Sequence, residues 1–423
     1  MSETLDEYLE LRQEIAEGSG KYVNVIFRRL EREVPSTTYA THGLYGYPAK
    51  FIPHVVRFVL KKYTNKGDWV FDPFAGYGTV AIECSLMGRN YIVWDLNPML
   101  TIFVKAATST YVPSPEEIAV DWDYQGFFKP YWSHLEYWHP KEFLDVLCRG
   151  WRYYHHQISD ELKPIAAIPL LKVTKYFSYA DLQVAKLYKS KKAKERVKNL
   201  LKSDWKLELK RLYNEKVKEV IRKIREYNEL KPKPVEGIIR AGIDSLKEEL
   251  NEEVDIILTS PPYLQAQEYI RSFKLELFWL GFTEHEVRRL QKAEIPYNYP
   301  PHIEIKSKTY EQYKEKVRRL GHKKLLEIYE AYFGSLAYFF ERVYDKVRKY
   351  ICIFVGPVKI RNIKIPIDEI LKEILESMGW AHEKTYIDTV VSRRLFETKI
   401  NPATGLPDER MQTEHLLVMR RSH

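Results

Sequence analysis

The sequence predicts an α/β protein built on a doubly wound, Rossmann-like sheet of seven strands, on three observations. A short apolar strand, Trp69-Val70-Phe71, runs straight into a glycine-bearing turn and a helix. A second strand, Tyr91 to Trp94, ends in the acid Asp95. After a long helical interruption, strands and helices alternate again from Gly237 to the C-terminus. Strand, Gly turn, helix, and strand with a terminal acid form the opening unit of such a sheet.

The elements follow in chain order. An acidic, amphipathic N-terminal stretch, MSETLDEYLELRQEIAEG, reads as a helix. Gly and Pro residues then break the chain before a helix with apolar positions at Ile52, Val55, Val56, Val59 and Leu60. The helix from Val80 to Met87 is closed by Gly88, which stops a helix by adopting a left-handed conformation. Gly237-Ile238-Ile239-Arg240 is a third strand, with Asp244 just beyond it, and Ile256-Ile257-Leu258 is a fourth. A helix through QEYIRSFKLELFWLGF, a polar excursion from Thr283 to about Lys324, and a helix through LLEIYEAYFGSLAYFFERVYDKV come next. The last unit is a strand at YICIFVGPV, a helix at IDEILKEILESMGW and strands at HEKTYIDTVV and EHLLVMRR. The expected organisation is a first part over 1–100, a helical, basic insertion over 101–235 and a second part over 236–423.

Composition narrows the function classes. The 423 residues are 45% hydrophobic and 30% charged, which suits a folded, soluble chain. The start is not a basic leader with an apolar core, and no apolar run is long enough to span a bilayer, so a cytoplasmic protein without membrane contact is expected. The three cysteines form no CxxC pair, which points to buried single thiols and to no metal. Abundant Lys and Glu with few Cys fits a heat-loving source. The net charge of +9 is concentrated: Lys186 to Pro234 holds eighteen Lys and Arg against seven Asp and Glu. One segment therefore carries more than the whole positive excess, and the cations Lys189, Lys191, Lys192, Lys194 and Arg196 at its start are candidates for phosphate contacts. A solvated, ion-paired helix face is the alternative.

Two stretches carry chemistry. The turn FDPFAGYGT lacks the GxGxxG fingerprint of an NAD site and the Gly-Lys-Ser/Thr ending of a phosphate loop. Asp72 at its head suits an ammonium group, and Gly76 and Gly78 would let a ligand approach the backbone. Asp95 could accept hydrogen bonds from ribose hydroxyls, and Asp244 from an adenine amino group. An amino acid end, a ribose and an adenine together describe S-adenosylmethionine. The second stretch is DIILTSPPY, where a buried strand ends in Thr259-Ser260-Pro261-Pro262-Tyr263. Two prolines fix two φ angles and remove two amide donors, leaving stiff carbonyls. The amino group of a nucleobase could donate to those carbonyls and to the Ser260 hydroxyl while its ring stacks on Tyr263. A plain turn after a strand has the same signature.

With both stretches in view, the chain resembles the amino-methyltransferases of nucleic acids described as DNA methylases of the N-4/N-6 type. DPFAGYGT looks like their cofactor motif, from Asp72, Pro73 and Phe74 through Gly76 and Gly78 to Thr79. TSPPY looks like their catalytic motif, and YPAKF, with Pro48 and Phe51, like the element that closes over the methionine end of the cofactor. The resemblance covers about Tyr47 to Thr101 and Gly237 onward and leaves the insertion unexplained. It implies the seven-stranded fold of class I S-adenosylmethionine-dependent methyltransferases. It further implies that Ser260, Pro261, Pro262 and Tyr263 act on an exocyclic amine. Ser before Pro-Pro-Tyr is the usual form for cytosine N4, and Asp or Asn for adenine N6. The cofactor motif precedes the catalytic one, the reverse of many cytosine-N4 DNA enzymes. Attack at cytosine carbon 5 would need a thiolate, typically in a Pro-Cys pair, and no cysteine here follows a proline.

The basic helical insertion suits docking on phosphates and shape, which tilts the expected partner slightly towards RNA. The chain thus resembles the archaeal ribosomal RNA cytosine-N4 methyltransferases that add one or two methyl groups. A site-specific DNA methyltransferase, on cytosine N4 or adenine N6, is the alternative. A catalytically idle RNA-binding protein, and a protein-glutamine methyltransferase that would favour Asn in place of Ser260, are more distant ones.

Overall fold

A computed structural model describes residues 20–264, 268–298, 300–389 and 413–422. The N-terminal stretch read as a helix, and Val390 and Val391 of the strand read at HEKTYIDTVV, lie outside these residues.

The main sheet has eight strands. They are β1 (Tyr22–Val25), β2 (Trp69–Asp72), β3 (Asn90–Asp95), β4 (Gly237–Ala241), β5 (Val254–Thr259), β6 (Val347–Val355), β9 (Trp380–Thr389) and β10 (Thr413–Arg421). Strands β7 (Val358–Ile360) and β8 (Ile363–Ile365) form a separate antiparallel hairpin. The spatial order is β1-β9-β10-β6-β5-β2-β3-β4. Strands β2 to β6 are mutually parallel, and β10 runs antiparallel to both β6 and β9. Without β1 this is the seven-stranded class I S-adenosylmethionine-dependent methyltransferase fold. The eighth strand escapes a reading by periodicity because it is four residues long and borrows its partner, β9, from the far end of the chain.

The central strands are near-continuous apolar runs because helices cover both faces. In β5, Ile256 and Leu258 join a core under one layer of helices, while Ile257 joins the core under the other. Besides single turns at Phe27–Leu30, Pro115–Ile118 and Leu135–Trp138, the helices before β5 are α1 (Pro53–Tyr63), α2 (Thr79–Met87), α3 (Leu100–Ala107), α4 (Lys141–Gln157), α5 (Lys163–Tyr176), α6 (Lys191–Leu201) and α7 (Trp205–Glu229). After β5 follow α8 (Tyr269–Ser272), α9 (Lys274–Trp279), α10 (Glu284–Ala293), α11 (Lys308–Arg318), α12 (Lys323–Val343) and α13 (Ile367–Ser377).

Three expectations are corrected. The single helix expected through QEYIRSFKLELFWLGF is two short ones, α8 and α9. The stretch from Thr283 to Lys324, read as a polar excursion, holds two helices instead. Each has a capping hydroxyl: Thr283 Oγ1 accepts from the Glu286 amide in a reciprocal capping box, and Ser307 Oγ accepts from the Tyr310 amide. Each buries only two or three side chains, so its apolar stripe is faint in the sequence. Finally, the boundary read at residue 100 falls at the first residue of α3, whose Leu100 and Val104 both pack into the sheet-side core. Helices α4 to α7 share a continuous core with Phe103 of α3 and with Phe278 and Trp279 of α9. Among the described residues no helix is long and apolar enough to cross a membrane.

Candidate functional site

The chain leaves β2 towards β3 and β4 on one side, then returns to β5 on the other. The carboxyl ends of β2 and β5 therefore form a topological switch point, where open α/β sheets bind ligands. A cleft of about 810 Å³, solvent at its mouth included, opens there. Of the residues singled out in the sequence, Phe51, Phe74, Gly76, Asp95, Asp244, Ser260 and Pro262 line it.

The turn after β2 is shaped by backbone geometry. Gly76 has φ +56°, its amide donates to Asp95 Oδ2 at 2.7 Å, and a side chain there would meet the Tyr47 ring at 3.0 Å. Asp95 Oδ1 accepts from the Asn97 amide at 2.7 Å. Burial pushes the Asp95 carboxyl up to about 6, against the pull of these two amides. The carboxylate therefore faces the cleft partly desolvated, with lone pairs left over. Asp244 Oδ1 accepts from the Leu246 amide at 3.0 Å, and its Oδ2 from Asn298 Nδ2 at 2.8 Å.

Several singled-out residues stand behind the lining. Asp72 is buried, accepts from Thr259 Oγ1 at 2.7 Å and from the Phe74 amide at 3.2 Å, and is pushed by burial up to about 7. It ties the tip of β2 to the tip of β5 instead of presenting a carboxylate to an ammonium group. Pro73 offers its carbonyl to Ser245 Oγ at 2.8 Å, and Thr79 is buried with its hydroxyl donating to the Phe51 carbonyl at 3.1 Å. Gly78 has φ +89°, and a Cβ there would lie 2.3 Å from Val104 Cγ2, so it serves close packing of α2 on α3 and not ligand approach. Pro48 lines a neighbouring groove against the insertion. Pro261 is buried, and Tyr263 is half-buried with its hydroxyl donating to Glu414 Oε1 at 3.3 Å.

The lining adds Asn97, Tyr269 and Glu294, which sequence reasoning missed, and Tyr47 and Lys50 of the YPAKF element, which it had not named singly. Asn97 stands two residues after Asp95 and could have been found by that spacing. Its Nδ2 is buried beside the Tyr47 hydroxyl without a hydrogen bond of regular geometry. Tyr47 stacks towards Tyr269 across the cleft, ring centres 6.3 Å apart. Glu294 accepts from the Ile270 amide at 2.8 Å, and burial pushes it up to about 7. Nothing local in its sequence signals this position, because α10 delivers it from a distant stretch.

The YPAKF element is held from behind by a buried ionic cluster. Glu83, fully buried, accepts from the Tyr39 hydroxyl, His42 Nε2 (2.8 Å) and Arg57 Nε (2.5 Å). Lys50 in turn donates to the carbonyls of His42 and Thr37. Burial and Lys223 pull the Lys50 ammonium down to about 7.

Among the candidate nucleic-acid contacts, Lys191, Lys192 and Lys194 stand exposed on α6. Arg196 does not: its guanidinium donates to the carbonyls of Tyr176, Ser178 and Ala180 at 3.1, 2.7 and 2.8 Å. Lys189 donates to the Tyr137 carbonyl and lies between the Tyr137 and Tyr179 rings. On α7 the charges pair along the helix, as in Arg211 with Glu208 and Glu215 and Arg222 with Glu226, so the solvated-face reading holds for that helix. All three cysteines are free and buried. Among the described residues no cluster of His, Cys, Asp and Glu could hold a metal ion.

Residues 3–103, which include YPAKF and DPFAGYGT, match the family model described as DNA methylase. The chain resembles the DNA methylases of the N-4/N-6 type. Similar curated proteins are type II methyltransferases. That of Methanocaldococcus jannaschii, M.MjaII, is 39% identical over 70 residues, 16% of this chain and 13% of that one. M.BsoBI of Geobacillus stearothermophilus is 24% identical over 65% of this chain and 60% of its own length. M.MvaI of Kocuria varians is 22% identical over 92% of each. The chain thus spans less than two thirds of the first two relatives and nearly all of the third.

The cleft fits the cofactor such proteins use. It offers carboxylates for a cationic ligand with ribose hydroxyls, a spare amide donor at Asn97, and aromatic walls at Tyr47, Phe51, Phe74 and Tyr269.

Proposed function

We propose that the protein transfers a methyl group from S-adenosylmethionine to the exocyclic N4 amine of cytosine in nucleic acid. The observation that carries this is that Ser260 and Pro262 line the same cleft as Asp95 and Asp244. A target amine at Ser260 would therefore sit beside a cofactor held by the two acids. S-adenosylmethionine supplies a methyl group activated by its sulfonium charge. The protein's part is to hold and reshape the amine. Cytosine's amino lone pair is delocalised into the ring, and hydrogen bonds from the amine to Ser260 Oγ and to the Pro261 carbonyl favour a more tetrahedral, nucleophilic nitrogen. Pro262 keeps that carbonyl still, and the Thr259–Asp72 hydrogen bond anchors the motif one residue earlier. Tyr263 stacks on the base, which must be unpaired or flipped from its helix. The released proton passes to water.

DNA is the first substrate to test, because the family description and the type II relatives lie on that side. RNA is the second reading, supported by the exposed lysines of α6 on a helical insertion. Incubation with labelled S-adenosylmethionine and either genomic DNA or total RNA, followed by nucleoside mass spectrometry, separates them. N4-methylcytosine in DNA supports the first, and N4-methyl or dimethyl cytidine in RNA the second. Label on adenine N6 would refute the cytosine assignment, and no transfer to either polymer would refute the proposal.

A further inference from the structure

The aromatic-rich stretch FFKPYWSHLEYWHP, in the insertion, has no part in the cofactor cleft. It folds against the segment that follows the catalytic motif. Between them lies a second cleft of about 720 Å³, with Trp138 and His134 on the insertion side and Arg271, Lys274 and Gln291 on the other. In the same stretch Tyr131 and Tyr137 are 68% and 56% exposed, and the Tyr137 ring, with Lys189 over one face, meets the cleft-lining Trp138 edge-on at 5.3 Å.

The charge of this cleft is unbalanced. Glu268 is shared by Lys186 at 2.5 Å and Arg271 at 2.9 Å, and Glu284 is taken by Arg288 at 2.9 Å. Lys274 lies near Glu284, Arg288 and Arg271, but no carboxylate comes within 4.0 Å of it among the described residues, and burial lowers the pKa of its ammonium. Its ammonium lies over the Phe278 ring, 5.9 Å from the ring centre. A half-buried ammonium without a contacting carboxylate, beside an arginine and aromatic faces, matches a phosphate followed by a base. Trp138 is braced for such a role, stacked on Trp132, which itself stacks on Phe278.

From this geometry we infer that the strand flanking the target base runs through this second cleft, with its phosphate on Lys274 and Arg271 and an unpaired base on Tyr137 and Trp138. The inference rests on the nucleic-acid reading above and moves the main contact from α6 to a surface beside the catalytic loop. Cations give affinity that falls with salt, whereas stacking gives affinity that does not.

The test is fluorescence anisotropy with a labelled cytosine-containing oligonucleotide, single-stranded and as its duplex, across a salt series. Wild type is compared with Lys274→Glu, Tyr137→Ala and the triple Lys191→Glu, Lys192→Glu, Lys194→Glu. Lys274→Glu should weaken single-strand binding about tenfold at low salt and lower the salt slope by about 0.7 or more. Tyr137→Ala should weaken it roughly fivefold or more with the slope unchanged. Cofactor affinity by calorimetry should stay at the wild-type value in both, which separates lost contacts from lost folding. Wild-type affinity and slope in both variants, with the loss confined to the α6 triple, would overturn the inference. Absence of any salt-dependent binding by wild type, together with absence of methyl transfer, would overturn the nucleic-acid reading itself.

Discussion

At the scale of single residues, the proposed function separates holding the cofactor from acting on the target. Asp95 carries two backbone hydrogen bonds and still faces the cleft. Its loss should remove charged hydrogen bonds to a ribose, about 1.5–3 kcal/mol. Asp95→Ala is therefore expected to weaken S-adenosylmethionine binding roughly ten- to a hundredfold in calorimetry. Ser260→Ala and Tyr263→Ala should leave that affinity nearly intact and lower turnover, because both are assigned to the base and not to the cofactor. Equal loss of cofactor binding in all three variants would contradict this division. Acidity adds a second check. Asp95 is raised to about 6 by burial, and the ribose needs the ionised form. Affinity should hold above that pH and fall as the pH drops through it. Asp95→Asn should bind weakly with a flatter profile. A residual slope in that variant would belong to Glu294, raised to about 7 in the same cleft.

At the scale of elements, local signals that concern a single turn are readable, and those that concern a partner are not. Gly88 ends α2 with φ +72°, as its position after an apolar helix implies. Gly78 looks, in sequence, like a glycine for ligand approach. Its contact with Val104 is visible only once α3 is folded against α2. Gly78→Ala should cost about 1–3 kcal/mol through overpacking and a strained left-handed backbone, measurable by urea unfolding. Arg196 is the counterpart in the insertion. In sequence it is one more cation in a basic run, yet it satisfies three carbonyls where α5 gives way to the loop before α6. Arg196→Ala should lower stability by about 1–3 kcal/mol and leave the salt slope of nucleic-acid binding unchanged. A changed slope at unchanged stability would return Arg196 to the phosphate-binding set.

At the scale of the whole molecule, the insertion is part of the body that holds the site. Its helices share a core with α3 and α9, and the segment after the catalytic motif packs on it. The positive excess of the chain lies there, but α7 neutralises much of its share internally. The exposed lysines of α6 are left to act at a distance. Reversing Lys191, Lys192 and Lys194 should slow association at low salt through lost long-range attraction, with an effect that vanishes as salt rises. Stopped-flow mixing with an oligonucleotide would measure it, and an unchanged low-salt rate would make α6 a solvated face only.

The sequence by itself determined the fold class and the family resemblance, and it marked the turn after β2 and the Ser260–Tyr263 stretch after β5 as the places to look for a site. Each depends on neighbours in the chain: strand into glycine turn into helix, acid at a strand tip, two prolines in succession. Only the tertiary structure decided that Asp72 faces Thr259 and not the cleft, that Arg196 is internal, and that Glu294 and Tyr269 join the wall. Those positions come from the meeting of β2, β5, α8 and α10, and burial at such a meeting is set by distant residues. The local pattern carries no record of it.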